Sequence, residues 1–466
     1  MDRISARHFN WSSFTFYVFS LLFYNPHMAR DWQRKLKRMG VAKGARHLKP
    51  ARPKTAVLPP PPPRITEPLS LYSEDDDDVQ PLEKLLPGGN VQQTAEGDCF
   101  ILDNVYTLAH RHGDDELGGW QQVNWGATAV FTQDPRFRDL TLHDCLFVDT
   151  ETTGLAGAGT IAFMVGVAFM EGDVLVVRQY FLRDHGDEPA MLLLLDELLA
   201  SRKALVTFNG RTFDLPLLDR RFLMNRLRVD IFNKPHIDLL LPARRLWRSR
   251  FGSVALGELE RKLLGVRRTQ ADVPGYAIPG LYHEYVRTGD ARQMTRVFYH
   301  NEIDMLSMVT LLPRVIRQFA HAGEGDHAVD LLSLGRWQGQ MGLLAEAEEN
   351  LRRAVAGDLS LELYHRALFE LANLLKRNDR RAEALPLWQQ IAATTFDDVS
   401  GHLELAKHYE WQERDVAAAM RWTEEALLLL KGTGENGRLL RADLEHRLAR
   451  LRGKEGDEER GAKGEE

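Results

Sequence analysis

The sequence predicts an α/β domain, a mixed sheet flanked by helices, followed by an all-α domain of helical repeats. Three observations lead there. Short apolar runs at Cys145–Asp149, Ile161–Phe169, Val174–Phe181 and Ala204–Phe208 have strand length, and an amphipathic stretch near Ala190–Leu199 separates the last two. The turn-prone Met170-Glu171-Gly172-Asp173 joins the second and third runs as a hairpin. In the last third, Leu334, Leu371 and Leu405 open similar blocks, echoed by Ala347, Ala384 and Ala419 and then by Ala354, Ile391 and Ala426.

Composition sets the outer bounds. A chain of 466 residues, 27% charged and 44% hydrophobic, is ordinary for a soluble protein of two to four domains and excludes a fibrous or membrane-integral one. The formal net charge of -6 does not announce a nucleic-acid binder, although an average over domains hides local patches. Cys99 and Cys145 are the two cysteines, with no CxxC spacing, which argues against a disulfide framework or a zinc site and fits a reducing cytoplasm.

Residues 1–82 hold nothing that can build a core. The run FTFYVFSLLF, Phe14–Phe23, covers half of the roughly 20 residues a membrane helix needs, and no small-residue cleavage site follows it. The abrupt change to MARDWQRKLKRMG makes Met28 the expected start of the protein, a membrane anchor being the alternative. A basic stretch, the five prolines Pro59–Pro63 and the acid run Glu74–Asp78 then make an extended spacer. Residues 83–138 regain apolar content between Pro87-Gly88-Gly89 and Gly118-Gly119 and predict a small β-rich extension. Within it, His110, His112, Asp114 and Asp115 form either a surface turn or a metal site.

Residues 139–320 carry the predicted sheet domain. Its first strand ends in CLFVDTETTG, where Asp149 and Glu151 face the same side because strand side chains alternate. Two carboxylates so close repel unless a cation sits between them, or unless both face water at a solvated strand end. Asp214 follows the Asn209-Gly210 turn, and Asp304 stands among apolar helical positions in VFYHNEIDMLSM. An acid on an apolar face is costly unless paired or ligated.

Residues 325–450 carry the recurring blocks, whose offsets lie close to the roughly 34 residues of a tetratricopeptide helix-turn-helix unit; an ordinary helical bundle is the alternative. Such repeats stack and leave a concave surface for a protein partner. Residues 451–466 read as a disordered tail.

DxE on a first strand, an Asn-initiated turn leading to an Asp, and a helix with an aromatic or His shortly before a final Asp resemble, in that order, the DEDD 3′–5′ exonucleases of the ribonuclease-H-like superfamily. FVDTETTGLAGAGTIAFMVG, LVTFNGRTFDLPLLDRRF, HIDLLLPARRLWR, LERKLLGVRR, DVPGYAIPGLYHEYVRTGD and VFYHNEIDMLSMV are similar to segments of its YprB-like branch. The resemblance covers about half the chain, from Pro87 to Pro313. It implies a two-metal mechanism using Mg²⁺ or Mn²⁺, in which Asp149 bridges both ions, Glu151 and Asp304 hold the one that activates water, and Asp214 helps to hold the other. Family members place a Tyr four residues, or a His five, before the final Asp. Here the order is reversed, with His300 at four and Tyr299 at five, so either is a candidate general base. His300 is favoured because i and i+4 share a helix face and imidazole is tuned for proton abstraction near neutral pH.

A polyanion needs cations. Residues 202–268 hold 16 Lys/Arg against 6 Asp/Glu. Thr152, Asn209, Arg244, Arg245, Trp247 and Arg248 are the expected contacts to single-stranded DNA or RNA, the arginines for phosphates and Trp247 for stacking. Asp238 is either a further acid of the site or a structural partner. The function expected is a cytoplasmic, metal-dependent 3′–5′ exonuclease whose repeats recruit a protein partner. A non-cleaving nucleic-acid adaptor and an endonuclease are the alternatives.

Overall fold

Strand-length apolar runs find one another in a seven-stranded mixed sheet of order β1-β2-β7-β6-β5-β8-β9. The computed structural model describes residues 79–154, 159–321, 323, 325–395, 398–430 and 435–463; the N-terminal apolar run, the Met28 start and most of the proline and acid spacer lie outside them. Strands β1 (Gly89–Thr94) and β2 (Gly97–Thr107) form a hairpin, and a two-residue pair, β3 (Arg111–His112) and β4 (Asp115–Glu116), follows. Then come β5 (Cys145–Thr152), β6 (Ala162–Glu171), β7 (Val174–Phe181), β8 (Ala204–Thr207) and β9 (His236–Asp238). The predicted meander is there as β5 to β7, antiparallel throughout, while β8 and β9 run parallel to β5.

The β-rich extension does not stand apart. Strand β2 pairs along its length with β7, from Phe100↔Phe181 to Thr107↔Val174, which covers an apolar edge that would otherwise be open for pairing. Strand β9 was not anticipated, because three residues are too few for a periodicity signal.

Helices cover both faces. One core joins Leu146, Val148 and Val165 to α2 (Glu188–Ser201), α3 (Asp214–Met224) and α5 (Ile278–Thr288). The other joins Cys145, Phe147 and Val206 to α4 (Leu240–Phe251). Helix α1 (Trp125–Thr132) also belongs to the second core. The long α6 (Met294–Ala320) contributes Val297 and Phe298 to the first core and Met305 to Phe319 to the second. Its crossing segment, residues 299–304, is therefore presented to the sheet where neither core fills the space.

The C-terminal region is helical: α7 (Ala328–Met341), α8 (Leu344–Ala356), α9 (Leu361–Arg377), α10 (Arg381–Thr394), α11 (Ser400–His408), α12 (Val416–Leu429) and α13 (Glu435–Lys463). The recurring Leu and Ala/Ile positions fall on successive helix pairs and are all buried. Helix α13 continues to Lys463 through part of the expected tail, and Leu451 is buried against Val416 and Ala419.

This region docks on α4. Arg250 pairs with the buried Asp330 at 2.7 Å, Arg245 donates to Gln340 at 2.8 Å, and the Arg245 guanidinium lies 5.5 Å from the Trp337 ring centre. Trp337 in turn packs on Phe319 with ring centres 4.6 Å apart. Arg250→Ala should leave Asp330 buried without its cation, destabilise the protein by about 1–3 kcal/mol in urea unfolding and increase proteolysis near residues 321–327. Arg244→Ala, an exposed change, should shift stability by less than about 0.5 kcal/mol.

Candidate metal centre

Four carboxylates converge at the C-terminal end of β5. Asp149 lies opposite Gly166 of β6, which lies opposite Gln179 of β7. Glu151 follows on the same face, just before an irregularity in the pairing at Glu151/Thr152. Asp214 is the first residue of α3, where the helix N-terminus favours negative charge, and its Oδ1 accepts from Thr150 Oγ1 at 2.5 Å. Asp304 arrives from the crossing segment of α6.

Two networks hold these acids. In the first, the fully buried Asn301 donates Nδ2–H to Asp149 Oδ2 at 3.1 Å, while its own Oδ1 accepts from Gln179 Nε2 at 3.0 Å. Gln179 also donates to the Phe298 carbonyl at 2.8 Å, so the amide orientation is fixed from sheet to helix. Glycine at 166 makes this possible, because a Cβ there would lie 2.0 Å from Asn301 Oδ1. In the second, Arg268 donates to Asp304 and grips Glu260 through Nε and Nη2 at 2.7 and 2.6 Å. His300 Nδ1 lies 2.8 Å from Asp272 Oδ1 and 3.0 Å from Arg268 Nη1, and its Nε2 lies 3.6 Å from Asp304 Oδ2.

Glu151, His300 and Asp304 each offer an atom within 4.8 Å of the others. Carboxylate and imidazole donors converging this closely fit a divalent cation, and the acids' mutual repulsion is what such an ion would relieve.

Residues 146–316 match the RNase_H superfamily. Over 339 residues the chain is 31% identical to the protein YprB of Bacillus subtilis (strain 168), covering 71% of this chain and 80% of that one. The chain belongs to the YprB family. A family B DNA polymerase from Pyrobaculum calidifontis is similar at 14% identity and a TM-score of 0.31, over 46% of this chain and 29% of that one.

Charge is under strain in this YprB-family site. Burial, then Asp214 and Asp304, push Asp149 well above the ordinary carboxylate range. Burial, then Asp149, do the same to Glu151. Burial carries Asp214 to about 6 and raises Asp304 against the pull of His300 and Arg268.

The expected site residues fare unequally. Asp149, Glu151, Asp214, Asp304 and His300 come together. Tyr299 turns elsewhere, its hydroxyl accepting from the Thr269 N–H at 3.1 Å. Thr152 donates to the Gly154 carbonyl at 2.8 Å beside the acids. Asn209 takes a left-handed φ of 69° in the turn before α3, and its N–H donates to Asp238 Oδ1 at 2.7 Å. Asp238 also accepts from the N–H groups of Arg211 and Leu240, so it is the structural partner rather than a further ligand.

Trp247 is a correction. It is 1% exposed and packed in the core, because Ala243, Leu246 and Trp247 share the inward stripe of α4, so it offers no stacking surface. Arg244 and Arg248 are exposed on the opposite stripe, while Arg245 is engaged with the helical region. The His110 to Asp115 cluster is likewise taken up structurally, with His112 buried against Ser307 and Asp115 paired with Arg314. Asn301, Gln179, Gly166, Arg268, Glu260 and Asp272 were missed, since nothing in their spacing ties them to the acids.

Gly166→Ala should displace Asn301 and destabilise the protein by about 1–3 kcal/mol, measured by urea unfolding. A second outcome follows from Asp214, which holds its proton up to about 6 when folded against an ordinary 3.8. A raised carboxylate stabilises fully below the unfolded value and loses that contribution as pH rises through the folded one. In EDTA, Asp214→Asn should melt a few degrees above the parent near about pH 8, with the gap closing near about pH 4. A gap that instead widens in acid would contradict this assignment.

Proposed function

We propose that the protein is a metal-dependent 3′–5′ exonuclease that hydrolyses phosphodiester bonds of single-stranded DNA or RNA. The convergence of four carboxylates from three elements around an Asp-oriented histidine supports this reading above all. Two Mg²⁺ or Mn²⁺ ions, when bound, would neutralise the charge developing on the phosphate and acidify the attacking water. Glu151 and Asp304 would hold one, Asp214 the other, and Asp149 both.

The chain's own residues supply positioning and proton transfer. In the tautomer that donates Nδ1–H to Asp272, His300 has its lone pair on Nε2, on the side of Asp304; in the other, Nδ1 accepts from Arg268 Nη1 and Nε2 carries the proton. In the first, a water there could give its proton to Nε2 as it attacks phosphorus, the P–O3′ bond breaks and the 3′-oxygen of the preceding nucleotide leaves to be protonated by solvent, and Asp272 would steady the resulting imidazolium. Tyr299, tied to Thr269, is not needed in that step. Thr152, next to Glu151 in the chain, and Asn209, in the turn before Asp214, would contact the strand's end, and the exposed Arg244 and Arg248 would contact its phosphates. The C-terminal helices, read as tetratricopeptide-like repeats, would carry a protein partner. No helix among the described residues is long and apolar enough to cross a membrane, and a cytoplasmic setting is part of the proposal.

One observation favours the non-cleaving adaptor: Arg268 already pairs with Asp304. An assay of the full chain on 5′-labelled single- and double-stranded DNA and RNA separates the two. The nuclease reading expects 3′-end shortening with Mg²⁺ or Mn²⁺, abolished by EDTA and reduced more than about 1,000-fold by Asp149→Ala. His300→Ala should cost about 100- to 10,000-fold, and Tyr299→Phe little. Binding without cleavage that survives Asp149→Ala would establish the adaptor, and internal fragments an endonuclease.

A further inference from the structure

Arg268 is the guanidinium that reaches into the acid cluster, and its surroundings suggest that it does more than balance charge. The short π-helical turn Glu260–Leu264 ends at Gly265, whose φ of +69° is left-handed and where a Cβ would lie 2.4 Å from the Asp114 carboxylate. The Val266 N–H closes the turn on the Glu260 carbonyl at 2.9 Å. Glu260, 2% exposed, is thereby fixed beneath Arg268 and occupies Nε–H and one Nη2–H. The remaining Nη2–H goes to Asp304, and Nη1 lies beside His300 and Asp272.

Those outer nitrogens face a cleft of about 550 Å³ lined by Arg261, Arg267, Arg268, Asp272, His300 and Asp304 among others. That volume falls within the roughly 300–1,000 Å³ that small-ligand sites occupy. Three arginines share its wall with Glu260, Asp272 and Asp304, Arg261 paired with Glu258 and Arg267 exposed, a mixed lining unlike that of a cation-only site. It suits an anion that arrives together with a cation. A guanidinium and a divalent ion sharing the Asp304 carboxylate repel each other, so an ion taking Asp304 loosens the Arg268 contact. Glu260 keeps the guanidinium from leaving.

We propose that Arg268 is the counter-ion of Asp304 in the metal-free protein and a phosphate ligand in the loaded one: a divalent cation at Asp304 releases the outer guanidinium N–H groups to a phosphate oxygen of a nucleotide in this cleft. Cation and phosphate then bind cooperatively, and by linkage each strengthens the other equally. The inference rests on the nuclease reading of the same acids.

Calorimetric titration of the full chain with Mn²⁺, with and without thymidine 5′-monophosphate, tests it without reference to turnover. Wild type should bind Mn²⁺ about tenfold more tightly when the nucleotide is present, within the range usual for coupled sites. The charge-balanced Glu260→Gln/Arg268→Gln protein should bind Mn²⁺ about tenfold more tightly than wild type without nucleotide, and the nucleotide effect should vanish. Arg268→Lys keeps the charge but lacks the fork, and it should lose most of the coupling; it carries the test if circular dichroism finds the double variant unfolded. No nucleotide effect in wild type, or the same affinity and coupling in the variants, would overturn the proposal. Mn²⁺ binding that Asp149→Ala abolishes, together with either of those results, removes Arg268's role and leaves the nuclease reading standing. Absent Mn²⁺ binding, or binding indifferent to Asp149→Ala, removes both.

Discussion

Mutual repulsion among Asp149, Glu151, Asp214 and Asp304 is the constraint around which this domain is organised. Holding four carboxylates at one strand end, Asp214 buried and the other three half-buried, opposes folding, and it pushes their pKa values above the ordinary carboxylate range. Such a cluster persists only if the surrounding structure overdetermines it. Here the sheet holds Asp149 and Glu151, a helix N-terminus holds Asp214, and α6 drives Asp304 in from above, with most of its length packed in the two cores.

The supporting residues divide the work by chemistry. Asn301 and Gln179 are neutral and fully buried, and they fix the direction of Asp149 without altering the site's charge. Arg268 and Asp272 are charged and partly reach solvent through the cleft, so they can exchange partners when a ligand arrives, while the buried Glu260 anchors Arg268. A rigid neutral network beside an adjustable ionic one gives a site whose ligand geometry is set while its charge balance can respond.

Much of the basic character around residues 202–268 serves assembly rather than substrate. Arg250 and Arg245 bind the helical region, and Arg221 pairs with the buried Glu188 within the first core. The helical region is thereby joined to α4 by ion pairing and aromatic packing. Fixing its helices against the sheet domain gives any partner they carry a defined orientation relative to the acids.

By itself the sequence determined the local elements and the first shell of acids. Short apolar runs of strand length gave β5 to β8, an amphipathic stretch gave α2, and DxE, Asp214 and Asp304 were visible because an acid in an apolar setting is anomalous wherever it occurs. Trp247 was misread because an aromatic between arginines looks exposed until the helix face is known. Tertiary structure alone decided the rest: that β2 completes the sheet, that Tyr299 turns away to Thr269, and that Gly166, Gln179, Asn301 and Arg268 support the acids. The physical reason is distance along the chain. Local spacing constrains residues within a turn or a strand, whereas Gln179 and Asn301 meet across 122 positions only after sheet and helix have packed.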